Sequence, residues 1–187
     1  MNRATAITLA VLAGLGILFF SGRAAASYFE GEFGEDVMSQ NEQQNLSAFL
    51  ALIRQVESNN DYQALVMGGS FSDFSDHPAL LGWDGVRMPD GRLTTAAGAY
   101  QITRTTWKDL GGAAKYGSFD PVAQDAAAVD LLRRRGALTL VKLGQYDGVV
   151  ARLTNEWEAF ARILAGTFPV TPEGAKTIYA EAGGTFA

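Results

Sequence analysis

An apolar helical stripe that ends in a carboxylate constrains this chain more than any other feature. Apolar side chains recur at helical spacing within residues 45–57, at Leu46, Phe49, Leu50 and Ile53. Glu57 lies four residues after Ile53, on the face that should turn inward. Burial and the negative end of the helix dipole both disfavour a carboxylate, so the pKa of Glu57 should be raised. A raised pKa suits a general acid near neutral pH, unless the stripe rotates into solvent at this point.

Composition excludes several kinds of catalytic chemistry. The chain of 187 residues has no Cys and one His, so it lacks the usual zinc ligands and any thiol nucleophile. The single His77 precedes Pro78, and no Gly-x-Ser-x-Gly elbow accompanies it, so we interpret it as a turn or packing residue. Carboxylate, tyrosine, lysine or hydroxyl chemistry remains. No metal, nucleotide or redox cofactor is implied.

The charge of the chain argues against a nucleic-acid partner. The formal net charge is −5, whereas nucleic-acid binding requires a basic surface. The one basic cluster in the sequence, residues 133–135, is all arginine and precedes Gly136. Cations are favoured near the C-terminus of a helix before a capping glycine, so we interpret the cluster as a solvated helix end.

The N-terminal 26 residues have the pattern of a membrane or export segment. Residues 4–22 are uncharged, lie between Arg3 and Arg23, and are about as long as a bilayer requires. We predict a transmembrane or signal-anchor segment over residues 1–26 that contacts the cytoplasmic membrane. Its many small residues leave three outcomes open: cleavage near residues 24–26, retention as an anchor, or later release as a signal-arrest-release segment.

The remaining sequence predicts a linker and one folded domain. Residues 27–44 carry several acids and no base, which is typical of an acidic flexible linker. Residues 45–187 are long enough to form a single domain with its own core.

Periodicity within that domain indicates helices around a small β lobe. Turn residues and alternation predict a short hairpin over residues 66–78 and a loop over residues 83–95. Later segments have helical spacing, and we predict four helices over residues 103–110, 121–135, 148–164 and 172–182. Pro121 and Pro172 are well placed for first turns, and Gly136 for a stop.

Four motifs in the same order resemble those of the lambda-endolysin-like lytic transglycosylases, a family in the lysozyme superfamily. Residues 71–78 resemble its Phe-Thr-Asp-Tyr-Ser-Asp-His-Pro segment, and residues 95–101 its Thr-Gly-Ala-Gly-Arg-Tyr-Gln segment. Residues 119–126 resemble its Ser-Pro-x-x-Gln-Asp-Ala helix start, and residues 135–138 its Arg-Gly-Ala-Leu segment. The resemblance implies an α+β lysozyme-like domain, mostly helical, with a small β-hairpin lobe and a glycan-binding cleft.

The resemblance also implies an activity. A monomer would cleave the β-1,4 bond between N-acetylmuramic acid and N-acetylglucosamine in peptidoglycan glycan strands of the periplasm, with Glu57 as acid and base. In a lytic transglycosylase the muramic 6-hydroxyl attacks its own anomeric carbon and gives a 1,6-anhydro end. A true lysozyme needs a second carboxylate, which Asp73 or Asp76 could supply, although turn capping is our preferred interpretation of both. A non-catalytic wall-binding module is a third alternative, and the presence of Glu57 argues against it.

Six residues are candidates for substrate binding: Asn60, Tyr62, Asp73, Gly98, Tyr100 and Gln101. Gly98 permits close backbone approach to a ligand, while Tyr100 and Gln101 offer hydrogen bonds to acetamido groups. The alternative for Tyr100 is packing in the core.

The tryptophans could stack on sugar faces. Trp107 and Trp157 lie in helical patterns, which favours core packing for both, and Trp83 lies in the predicted loop. Residues 158–162 depart from the Ala-Ser-Leu-Pro-Gly that follows the late tryptophan of the resembled family, so this side of the groove should have its own shape.

Overall fold

The helix that carries Glu57, α1, spans Gln40–Ser58. The structure is a computed structural model and describes residues 38–187. A capping box starts α1 at Gln40 rather than at residue 45: the Ser39 side chain accepts from the Glu42 N–H, and the Glu42 side chain accepts from the Ser39 N–H. Residues 40–44, which we predicted to belong to the linker, are therefore helical. The predicted segment 1–26 and residues 27–37 lie outside the described residues.

The remaining helices of the described chain surround α1. After a 3-10 helix at Pro78–Leu80, they are α2 (Arg104–Asp109), α3 (Gly112–Tyr116), α4 (Pro121–Arg134), α5 (Leu138–Lys142), α6 (Tyr146–Leu153), α7 (Glu158–Leu164) and α8 (Pro172–Glu181). The four stripe residues of α1 are all buried, as predicted: Leu46, Phe49, Leu50 and Ile53. The Phe49 ring contacts those of Tyr146, Phe160 and Tyr179 at centroid distances of 6.0, 5.9 and 5.8 Å. This cluster fixes α1 against α6, α7 and α8.

Three of the four later helix predictions are confirmed and one is wrong. Helices α2, α4 and α8 lie within the predicted ranges and begin after Thr103, Asp120 and Thr171, whose side chains cap them. The predicted single helix over residues 148–164 is instead two helices, α6 and α7. Trp157 has an extended backbone (φ −121°, ψ 114°), which lets its indole N–H donate to the Tyr100 carbonyl at 2.9 Å. This tertiary contact ends the helical run.

The β lobe lies later in the sequence than we predicted. Strands β1 (Val86–Arg87) and β2 (Leu93–Thr94) pair antiparallel, with Val86 opposite Thr94, in the segment predicted to be a loop. The turn between the strands is closed by the Gly91 N–H, which donates to the Met88 carbonyl at 2.8 Å.

Residues 66–78, predicted as the hairpin, contain no strand. Asp73 accepts from the Ser75 N–H at 2.9 Å, and Asp76 accepts from both the His77 N–H and the Trp107 indole at 2.8 and 2.7 Å. Such side-chain hydrogen bonds compete with the backbone hydrogen bonds of a strand pair, which explains why the predicted hairpin over residues 66–78 is wrong.

The predicted fold class is confirmed: the domain is mostly helical and has a small antiparallel sheet.

Several packing predictions are confirmed by burial. His77 is fully buried, its Nε2 lies 2.9 Å from the Ile102 carbonyl, and its Nδ1 accepts from the Ala79 N–H. Trp107 and Trp157 are also in the core. Within residues 38–187, no helix is both long and apolar enough to span a lipid bilayer.

The arginine cluster lies at the end of α4, as predicted. Arg134 and Arg135 pair with the carboxylate of Glu156 at 3.1 and 2.6 Å. These ion pairs hold the connection between α6 and α7 against the end of α4. The arginine cluster therefore forms ion pairs that stabilise the fold and is not simply a solvated helix end.

Candidate active site

A cleft of about 990 Å³ lies at the C-terminal end of α1. Its walls come from α1, from the loop around residues 64–69, from the β lobe and from α7. The residues that matter most for its chemistry are Glu57, Asp61, Arg92, Gln101, Glu158 and Arg162. A cleft of this size is typical of a site for an extended ligand.

The end of α1 places Glu57 in this cleft. Asn59 takes a left-handed conformation (φ 57°), and its backbone N–H bonds the carbonyls of Arg54 and Gln55. The chain turns there, beside the cleft, and Glu57 in the last turn of α1 lines the cleft.

The Glu57 carboxyl is buried with one oxygen unsatisfied in the described part of the chain. Its Oε1 is inaccessible to solvent and has no hydrogen-bond partner among residues 38–187. Burial raises the pKa of Glu57 to about 7, the backbone N–H of Ala159 opposes this by hydrogen bonding, and the nearby charge of Glu158 raises it further. The group therefore carries a proton for much of the time at neutral pH.

A buried hydrogen-bond network supports the end of α1 from behind. Asp125 on α4 accepts from the hydroxyls of Tyr62 and Tyr100 at 2.7 and 2.6 Å through Oδ1. Arg54, three residues before Glu57, donates to the Tyr100 hydroxyl at 2.8 Å and to Asp125 at 3.4 Å. The network fixes the last turn of α1 relative to α4, and with it the position of Glu57.

The family model for endolysins matches residues 46–186. The chain belongs to the endolysin family. It is 31% identical over 132 residues to the endolysin of Escherichia phage lambda, which covers 71% of this chain and 81% of that relative. It is 30% identical over 158 residues to the endolysin of Escherichia phage P2, which covers 77% of this chain and 96% of that relative.

Solved structures show the same fold. A lysozyme of bacteriophage lambda complexed with a chitohexasaccharide is 27% identical, with a TM-score of 0.60, over 81% of this chain and 100% of that one. A second structure of lysozyme from bacteriophage lambda has the same TM-score of 0.60 at 25% identity, over 81% of this chain and 99% of that one. This endolysin is therefore a peptidoglycan-cleaving enzyme of the lysozyme or transglycosylase type.

Two of the predicted substrate-binding residues of this endolysin lie in the core instead. Tyr100 has no exposed surface, because its hydroxyl is used in the Asp125 network. Gly98 is also buried; a Cβ there would lie 2.2 Å from Oε1 of Gln124, and its φ of 74° disfavours other residues. Close packing against Gln124, rather than a ligand, explains this glycine. Gln101 lines the cleft, and its role in substrate binding stays a prediction.

The other three predicted residues do not line the cleft. Asn60 is exposed and its side chain donates to that of Gln55. Tyr62 points its hydroxyl to Asp125. Asp73 is exposed and caps the turn at Ser75, and Asp76 has the structural role described above. The preferred interpretation of both aspartates as turn caps is confirmed.

The sequence reasoning missed three acids that line the cleft. Asp61 is exposed and accepts from the Gln63 N–H, and Glu156 is committed to its arginine pairs. Glu158 is exposed in the first turn of α7. Glu158 directly follows the buried Trp157, and this position was the signal that could have indicated it. We missed it because we predicted one continuous helix over residues 148–164. In the described part of the chain, no group of three acidic or histidine side chains could hold a metal ion.

The burial of Glu57 predicts that Glu57→Gln stabilises the protein at pH 8 but not at pH 4. The pKa is about 7 in the fold against an ordinary 4.5, so the folded state binds more protons and stability falls as pH rises between these values. Above pH 7 the ionised Glu57 lowers the free energy of unfolding by roughly 1–3 kcal/mol. The neutral amide of Glu57→Gln removes this cost. Urea unfolding at both pH values measures the difference.

Glu181→Gln, at an exposed position on α8, is the matched control and should change stability by less than about 0.5 kcal/mol at both pH values. Equal effects of Glu57→Gln at pH 4 and pH 8 would contradict the burial of this carboxyl.

Proposed function

We propose that this endolysin cleaves the β-1,4 bond between N-acetylmuramic acid and N-acetylglucosamine as a lytic transglycosylase, with Glu57 as acid and then base. One observation carries the proposal: Glu57 lines a cleft of about 990 Å³, and burial of its carboxyl raises its pKa to about 7. Peptidoglycan lies outside the cytoplasmic membrane, so the proposal places the domain in the periplasm. Residues 4–22, outside the described residues, would then serve as the export or anchor segment.

In the first step, Glu57 acts as a general acid. A pKa of about 7 keeps the carboxyl largely protonated below neutral pH, and because Glu57 lines the cleft, it can give its proton to a substrate bound there. The bond between the anomeric carbon of N-acetylmuramic acid and O4 of N-acetylglucosamine breaks. The proton passes from Glu57 to O4, and positive charge develops at the anomeric carbon.

In the second step, the Glu57 carboxylate acts as a base. The 6-hydroxyl of the same muramic residue attacks the anomeric carbon and gives its proton to Glu57, which regenerates the acid. The product carries a 1,6-anhydro ring, and no water enters the reaction. This route needs no second carboxylate, and neither Asp73 nor Asp76, the two carboxylates that we considered for a hydrolase, lines the cleft.

Hydrolysis is the second candidate, and one observation favours it. Glu158 lines the same cleft and its charge acts on Glu57. A retaining hydrolase needs a second carboxylate about 5 Å from the acid, and an inverting one needs it somewhat further away. Asp61 and Glu158 are the exposed acids of the cleft, and Glu158 is the one whose charge acts on Glu57, so it could fill this role in place of Asp73 or Asp76.

The acid and base roles predict that Glu57→Gln abolishes lysis. A general acid typically contributes 10²–10⁴ in rate, so activity should fall by about 10³ because the amide cannot supply the proton. Turbidity loss of outer-membrane-permeabilised Gram-negative cells measures this effect. Circular dichroism should show an unchanged fold, and Glu181→Gln should lyse at the wild-type rate. Lysis by Glu57→Gln within a few fold of wild type would reject the acid assignment.

The choice between the two chemistries predicts the product. Mass spectrometry of released muropeptides should show 1,6-anhydro ends, lighter by one water than reducing ends, for both wild type and Glu158→Gln. The transglycosylase route does not use a second carboxylate, so removing Glu158 should leave the product unchanged. Reducing ends from the wild type, lost in Glu158→Gln, would establish a hydrolase instead.

A further inference from the structure

Helix α7 and the segment after it form one lip of the cleft. Arg162, in the last turn of α7, and Phe168 both line the cleft. The guanidinium of Arg162 lies over the Phe168 ring, with 5.3 Å between Cζ and the ring centroid. Its Nη2 also donates to the Thr167 carbonyl at 3.3 Å. These two contacts position the guanidinium beside the cleft.

Arg162 differs from Arg92, the other arginine that lines the cleft, because it has no carboxylate partner among residues 38–187. Arg92 pairs with Asp90 at 2.6 Å, whereas no carboxylate among residues 38–187 lies within ion-pair distance of Arg162. Glu158 lies four residues earlier on α7, at a spacing that allows an ion pair, yet the two side chains do not form one. The Arg162 donors that do not bond Thr167 therefore remain available to a ligand.

The chemistry of this lip identifies the ligand group. Arginine held in a fixed plane binds carboxylates through two parallel hydrogen bonds, and stacking on an aromatic ring leaves its outward edge free. The sugars of a peptidoglycan strand are neutral where the lactyl group is amide-linked to peptide. The carboxylates of peptidoglycan belong to the stem peptides.

We propose that Arg162, positioned by Phe168, binds a stem-peptide carboxylate of peptidoglycan and makes this endolysin prefer peptide-bearing strands with free carboxylates. The inference rests on the proposed function, because it adds a specificity contact to the same cleft. The stem peptide projects from the muramic residue next to the scissile bond, so a contact on the α7 lip fixes the register of the strand relative to Glu57.

The experiment compares two forms of one substrate. One form is purified peptidoglycan, and the other is the same material after carbodiimide amidation of its peptide carboxylates, which removes charge and keeps the peptides. Wild type should cleave the native form about tenfold faster, in line with the strength of hydrogen bonds between charged groups. Arg162→Gln should cleave both forms at the slower rate, and Arg162→Glu should be slower on the native form than on the amidated one.

Arg152→Gln is the matched control, since Arg152 is exposed on α6 and does not line the cleft. It should keep the wild-type preference. No cleavage of either form by wild type would reject the proposed function itself. Equal cleavage of both forms by wild type, or an equal loss on both forms in Arg162→Gln, would overturn the stem-peptide inference and leave the proposed function in place.

Discussion

The enclosure of the Glu57 carboxyl is the constraint on which the rest of the site depends. Apolar burial of α1 fixes where the helix ends, and the end of the helix fixes where the carboxyl enters the cleft. Its Oε1 lies away from water and has no partner among the described residues. Burial therefore raises the pKa of Glu57, and the ionised carboxyl destabilises the fold. A functional site often retains such a cost because its chemistry needs it.

Tyr100 connects the elements that enclose this carboxyl. Its hydroxyl bonds Asp125 on α4 and accepts from Arg54 on α1, while its carbonyl accepts from the Trp157 indole at the start of α7. Helix α7 in turn supplies the Ala159 N–H and the charge of Glu158 that act on Glu57. Two walls of the cleft, α1 and α7, and the supporting helix α4 are thus joined through one buried residue. The residue that we expected to touch the glycan instead organises groups that line the cleft.

The sequence was sufficient for features that rest on local periodicity. The stripe of α1 predicted the buried face and the inward position of Glu57, and Pro121 and Pro172 marked the starts of α4 and α8. Periodicity indicated helices with a small β lobe, and the resemblance to a known family added the lysozyme-like fold. Features that rest on tertiary contacts were not predictable in this way. The break before α7 depends on a hydrogen bond between residues 157 and 100, and Glu158 entered the cleft only because of that break.

The central claim is that the Glu57 carboxyl is protonated well above the pH at which ordinary glutamates ionise. The most direct test follows its side-chain carboxyl carbon by ¹³C NMR across a pH titration, with the signal assigned by its absence in Glu57→Gln. The account requires a midpoint of about 7. A midpoint close to 4.5, the ordinary value, would show that the carboxyl is solvated and would contradict the account.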